Sequence, residues 1–281
     1  MRPCWKVSLG STCADNFSCC AWVRVLQTYV ILCLTAAAAG AINAVAGGGT
    51  LLTFPVLFSA LGPQAAVLAN GTSTVALFPG ALAALGGYRR ELEGTGRWTA
   101  IMAVPSLLGA VIGSLLAVLF PAYFRALVPW LILTAALLFA LQPQIARWTG
   151  IGRPHQPAAR FAALGTIAFQ FLVAVYGGYF GAGIGILMLC ALAMMGMTDI
   201  HRMNGVKSAL GSLINGVAAL MFIVTGHVDW RYALPMAVAA TIGGYAGAHW
   251  ARRLDRQFVR AIVIAIGFSL AGYYFYRELA A

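Results

Sequence analysis

Acidic side chains are the scarcest feature of this chain: seven Asp and Glu stand among 281 residues, and charged residues of both signs make up only 9%. A soluble domain carries about a quarter charged residues, so water is not the solvent for most of this surface. The few acids are poorly placed for paired-carboxylate chemistry, with Glu91, Glu93, Asp229, Asp255 and Glu278 at expected loops or helix ends. General acid–base catalysis within the apolar runs therefore lacks its groups. CxxC pairs, HExxH, GxSxG and Walker-type glycine loops are absent as well, which removes the common metal, redox, nucleophile and nucleotide signatures. No cofactor or metal is expected, and a membrane-embedded transferase is the only enzyme reading left as an alternative. Of the six cysteines, Cys4, Cys13, Cys19 and Cys20 precede the first apolar span, while Cys33 and Cys190 read as small apolar packing residues.

What the chain has in excess is apolar surface. Hydrophobic residues make up 61% of the sequence and the mean hydropathy is +0.85. Runs of that length and composition are transmembrane helices, and the fold expected is an all-α polytopic membrane protein of about 8–10 segments. The net charge is +11, but its Arg and Lys residues cluster between apolar runs, as in cytoplasmic loops. That pattern points to a lipid bilayer as partner and away from nucleic acid.

The chain is organised around Ala44-Val-Ala-Gly-Gly-Gly-Thr-Leu-Leu-Thr-Phe-Pro55, three consecutive glycines inside apolar sequence. Glycine frees the backbone to leave the helix, and Pro55 withholds an N–H from any helix that runs through it. An unwound segment at membrane depth survives only when buried in protein or lining a wet cavity, and broken helices are where secondary transporters hold their cargo. Close helix packing by small residues is the competing reading.

Residues 1–27 read as a poorly ordered tail. A first transmembrane repeat follows over 28–141: a block, Thr28 to Leu61, too long for one span and broken at Gly47 to Gly49 into two short helices or a re-entrant pair, then three full spans. A cytoplasmic linker, 142–160, leads to a second repeat over 161–281, whose first block is interrupted at Gly177 to Gly185. Gly47 and Gly181, Asn70 and Asn204, Gly109 and Gly243, and Phe124 and Phe258 all lie 134 residues apart without a gap. The Arg and Lys bias places Arg89, Arg90, the linker and Arg252 to Arg260 on the cytoplasmic side, so equivalent loops face opposite sides and the repeats are inverted.

At Gly47-Gly-Gly-Thr-Leu-Leu-Thr-Phe-Pro55 and Asn70-Gly-Thr-Ser73 the sequence resembles the sulfite exporter TauE/SafE family. Gly181-Ala-Gly-Ile-Gly185 resembles that family's second glycine cluster, and Gly226-His-Val-Asp-Trp230 its Gly-x-Val-Asp-Trp turn. The resemblance covers about Val30 to Arg253. It implies a permease of the cell inner membrane for sulfite or organosulfur anions such as sulfonates. Leu189 stands where the first half has Pro55, and Lys207 stands at the position of Ser73.

A small anion at the midplane needs donors, which helix N-termini supply through unmatched N–H groups and the helix dipole. The first candidates are Gly48, Gly49 and Thr50, with Gly183 and Gly185. The hydroxyls of Thr72 and Ser73 and the amides of Asn43, Asn70, Asn204 and Asn215 are further candidates, with interhelical packing as their alternative. Lys207 reads either as the counter-charge of the anion or as a lysine snorkelling from the helix end. Protons are a candidate coupling partner. His201 and His249 adjoin arginine-bearing loops and read as interfacial, and the sequence specifies neither transport direction nor oligomeric state.

Overall fold

The computed structural model describes residues 13–45, 47–148, 160–250 and 256–279. They form ten α-helices and, among the described residues, no strand. In the first half these are α1 (Cys13–Val45), α2 (Thr50–Leu61), α3 (Ala66–Gly87), α4 (Gly96–Leu119) and α5 (Pro121–Trp148). In the second they are α6 (Arg160–Tyr179), α7 (Ile184–Met194), α8 (Ile200–Val224), α9 (Trp230–Trp250) and α10 (Arg256–Leu279). Among the described residues, five helices are long and apolar enough to cross a membrane: α3, α4, α8, the 25–44 part of α1 and the 121–145 part of α5. The chain is an all-helical, polytopic membrane protein. Helices α2 and α7 have only 12 and 11 residues, about 18 Å at 1.5 Å per residue, which is roughly half of a hydrocarbon layer.

The boundaries differ from the sequence reading at three places. Residues 1–12 of the expected tail lie outside the described residues, and from Cys13 the chain is already helical and runs on into the apolar block. The expected linker contracts, because α5 continues through Pro143 to Trp148 and α6 starts at Arg160, with the residues between them outside the described ones. The first broken block is one long helix followed by a short one, instead of two short helices.

Three of the five second-half helices, α7, α8 and α9, begin 134 residues after their counterparts: Thr50 and Ile184, Ala66 and Ile200, and Gly96 and Trp230. The packing repeats as well. Gly109 and Gly113 of α4 meet Phe171 and Val175 of α6, while Gly243 and Gly247 of α9 meet Ala37 and Ala41 of α1. A Cβ at any of these four glycines would run into opposing backbone, so the GxxxG spacing here brings helix backbones together. Each half thereby grips a helix of the other. Two counterpart pairs run antiparallel: Gly71 and Phe78 of α3 face Phe222 and Gly216 of α8, and Trp130 and Ala136 of α5 face Phe275 and Gly267 of α10. The opposite face of α4 turns Val104, Leu108 and Leu116 outward, a stripe suited to lipid and unsuited to water.

The α8–α9 turn shows how local chemistry fixes these helices. Gly226, at φ +73°, ends α8 with Gly226 N donating to Ile223 O at 3.1 Å and His227 N to Phe222 O at 2.8 Å, a Schellman closure. The Asp229 carboxylate then accepts from Arg231 N at 3.0 Å at the start of α9, while Asp229 N donates to Thr72 Oγ1 at 2.9 Å. That second bond ties the turn to α3. At the other end of α8, Asp199 caps the helix by accepting from His201 N and Arg202 N, the arrangement a helix N-terminus favours.

Candidate functional site

The two interruptions are built from glycine, as the sequence suggests, but not in identical ways. Gly47 has φ +73° and Gly181 φ +82°, and these residues are counterparts. Gly183, at φ +79°, is the left-handed N-cap of α7, whereas its counterpart Gly49 is right-handed at the N-cap of α2. Neither helix start has a side-chain cap, so the first N–H groups of α2 and α7 depend on backbone or on a ligand. Pro55 does not make the first break. It lies inside α2, where its missing N–H leaves the Leu51 carbonyl without the usual helical donor. At the second break Tyr176 Oη donates to Ala182 O at 2.8 Å, holding the unwound carbonyl against α6.

The breaks meet in the buried interior. A Cβ built on Gly47 would lie 3.2 Å from Gly185 Cα, an approach only glycine permits. Beside this crossing is a cavity of about 40 Å³, room for roughly three water-sized centres at 10–15 Å³ each. That is the scale of a small oxyanion. Its polar wall combines Asn43 of α1 with Lys207, Ser208, Ser212 and Asn215 of α8, and its floor is Gly47 and Gly185. Met188, Ile184, Ala81 and Ala84 form the apolar side. Among the described residues the lining holds one cationic side chain and no carboxylate.

Four of the sequence-predicted residues therefore come together: Asn43, Gly185, Lys207 and Asn215. Lys207 is 4% exposed and lines the cavity, two turns into α8. Ser208, Ser212 and Gly47 join the site without having been among the candidates. Ser212 is 5% exposed and its Oγ is buried without a hydrogen-bond partner, a costly arrangement unless something else meets it. The signal was present in the helical spacing, since Ser208, Gly211, Ser212 and Asn215 stand at i, i+3, i+4 and i+7 on one face, and Lys207 borders that face four residues before Gly211.

The other candidates lie outside the cavity lining, and most make internal contacts. Gly48 packs beneath the Phe139 ring, Gly49 against the Ala39 carbonyl, and Gly183 beside Leu138 and Phe139 of α5. Thr50 is buried beside Gly181. The Asn70 amide donates from Nδ2 to Tyr179 O at 3.0 Å, across the two halves, and its Oδ1 is buried without a partner. Thr72 Oγ1 accepts from Asp229 N, and Ser73 Oγ shares a 2.6 Å hydrogen bond with Thr53 Oγ1. Asn204 Nδ2 donates to Ile200 O within its own helix. His201 and His249 are exposed near helix ends. Among the described residues no group of three or more His, Cys, Asp or Glu is placed to hold a metal.

Comparison with known proteins agrees with this architecture. The family model described as sulfite exporter TauE/SafE matches residues 32–274. A probable membrane transporter protein of Sinorhizobium sp, ORF9, is 27% identical over 234 residues, covering 83% of this chain and 87% of its own length. A probable membrane transporter protein of Haemophilus influenzae is 25% identical over 238 residues, covering 84% and 90%, and YunE of Bacillus subtilis, another probable membrane transporter protein, is 25% identical over 269 residues, covering 87% and 97%. None of these names states a substrate. With the match running from within α1 to within α10, over both broken helices and the cavity between them, the chain belongs to the sulfite exporter TauE/SafE family.

Proposed function

We propose that this transporter moves a small anion, sulfite or an organosulfonate, across the inner membrane by alternating access between two inverted halves. The observation that carries the reading is the cavity at the crossing of the breaks, where Lys207 faces Asn43, Ser208, Ser212 and Asn215 without a carboxylate in the lining. Such a wall offers a cation and neutral donors to an oxyanion, and desolvation strengthens each contact. The antiparallel pairing of α3 with α8 and of α5 with α10 supports the inverted arrangement, because a two-fold axis lying in the membrane plane pairs counterpart helices in opposite directions. Rocking of one half on the other about the glycine contacts would open the cavity to either side in turn.

The test is flux of sulfite, sulfonates, thiosulfate and sulfate in proteoliposomes, with and without a pH gradient, against protein-free vesicles. Movement of sulfite or a sulfonate above the control is the expected result. Failure of all four classes to move removes the sulfur-anion assignment and leaves transport of another small anion or metabolite as the second reading, consistent with relatives named only as membrane transporters.

A further inference from the structure

Helix α6 does not close regularly at its carboxyl end. Phe180 N and Gly181 N both donate to Tyr176 O, at 2.9 and 3.2 Å. A regular helix would pair Gly181 N with Gly177 O, so the slip takes that donor away from the Gly177 carbonyl. Gly181 is in the left-handed region, and oxygens gather on the side where its side chain would project. A Cβ built there would lie 3.1 Å from Gly177 O, 3.8 Å from Asn215 Oδ1 and 3.8 Å from Thr50 Oγ1. Beyond its chain neighbours, these are the three nearest atoms to that point. One comes from α6, one from α8 and one from the first residue of α2.

We propose that these three oxygens form a site for a monovalent alkali cation, sodium, that binds together with the transported anion; the proposal rests on the transporter reading above. Hard cations take oxygen ligands, and divalent ones draw on carboxylates. This shell is neutral, which suits an ion of single charge; that ion and Lys207 are both balanced by the anion next door, so a doubly charged anion such as sulfite fits the pair best. Asn215 connects the two sites, since its Oδ1 faces the Gly181 point and the same residue lines the anion cavity. Unwound carbonyls at broken helices are a recurring place for coupling ions. The site is built once only. In the other half Ala81 and Ile184 occupy the positions of Asn215 and Thr50, and the counterpart glycine, Gly47, is closed by Gly185 Cα. Each ion then raises the affinity for the other by the same factor.

The experiment is thermal unfolding of the purified full chain while sodium chloride replaces choline chloride at constant ionic strength, with sulfite flux measured in the same salts. Sodium should raise the wild-type midpoint in a saturable way. Thr50→Val, which keeps the shape and removes the oxygen, should raise the half-saturating sodium concentration about tenfold. Asn215→Asp, which adds a charge to the shell, should lower it. Identical wild-type midpoints in the two salts overturn the site. So does an unchanged sodium response in both variants, and the Asn215→Asp arm decides alone if Thr50→Val does not fold. Sulfite flux indifferent to sodium overturns the coupling and leaves the permease standing. Absence of flux for every anion in either salt overturns the permease, while the unfolding titration still decides the cation site.

Discussion

Gly47 touches Gly185 in the buried interior: a Cβ built on Gly47 would stand 3.2 Å from Gly185 Cα, at a residue whose φ is +73°. Gly47→Ala should therefore suffer twice, from left-handed backbone strain of about 1–2 kcal/mol and from pushing the two breaks apart. Gly226 is a matched control, with the same φ of +73° and nothing within 4 Å of a built Cβ, so Gly226→Ala should carry the strain alone. Thermal unfolding in detergent should show the larger loss for Gly47→Ala. Equal losses would mean that the breaks do not meet as described.

The same logic applies to the grip between halves. A Cβ on Gly243 would overlap Ala37 O, whereas one on Gly86 meets nothing within 4 Å. Gly243→Ala should destabilise by about 1–3 kcal/mol through overpacking. Gly86→Ala, at an exposed helical position, should be neutral or stabilising by up to about 1 kcal/mol. Denaturant or thermal midpoints of the two variants check this, and a stable Gly243→Ala would argue against α9 lying on α1.

Much of this was legible in the sequence for a physical reason: glycine clusters and GxxxG pairs at constant spacing state where backbones must turn or touch. The 134-residue offset carries over to the starts of α7, α8 and α9 and to the α1–α9 and α4–α6 contacts. Pro55 misled because a proline in an apolar helix is tolerated when neighbouring helices shelter the freed carbonyl, so α2 runs through it. Polar residues were harder still. Ser73 and Ser212 look alike in a sequence, yet one faces Thr53 and the other the cavity, and only the rotation of each helix decides which. The α8 face was available from the spacing after Lys207, but reading it required choosing Lys207 as the reference in advance.

Ser73 is a test of that distinction. Its 2.6 Å hydrogen bond to Thr53 Oγ1 lies in the core, and Thr53 retains a second contact to Gly49 O at 3.4 Å. Ser73→Ala should cost about 0.5–1.5 kcal/mol of stability while leaving substrate affinity at the wild-type value. An affinity loss without a stability loss would return Ser73 to the binding site.

Gly94 and His227 report topology. They lie in the turns that close α3–α4 and α8–α9, the counterpart hairpins of the two halves. Cysteines placed singly at these positions in a cysteine-depleted chain should differ in labelling by a membrane-impermeant thiol reagent in cells with a permeabilised outer envelope, position 227 reacting and position 94 protected. Labelling of both from one side would contradict the inverted arrangement.

Lys207 tests the chemistry proposed for the cavity. It is 4% exposed and lines the same space as Ser208, Ser212 and Asn215, so the counter-charge reading predicts a specific pattern. Lys207→Ala should insert and purify but bind the anion about tenfold to a hundredfold more weakly, the range of a charge-assisted hydrogen bond of about 1.5–3 kcal/mol. Lys207→Arg should keep part of the affinity by keeping the charge, with some loss because a planar guanidinium does not reproduce a compact ammonium. The gap between wild type and Lys207→Ala should widen at low ionic strength, where screening is least. A lysine serving only to snorkel would give a nearly silent alanine variant. Calorimetry on the purified proteins with sulfite as the probe separates the two. Equal affinities for wild type, Lys207→Ala and Lys207→Arg would remove Lys207 from the site and leave the anion to the backbone N–H groups at the starts of α2 and α7.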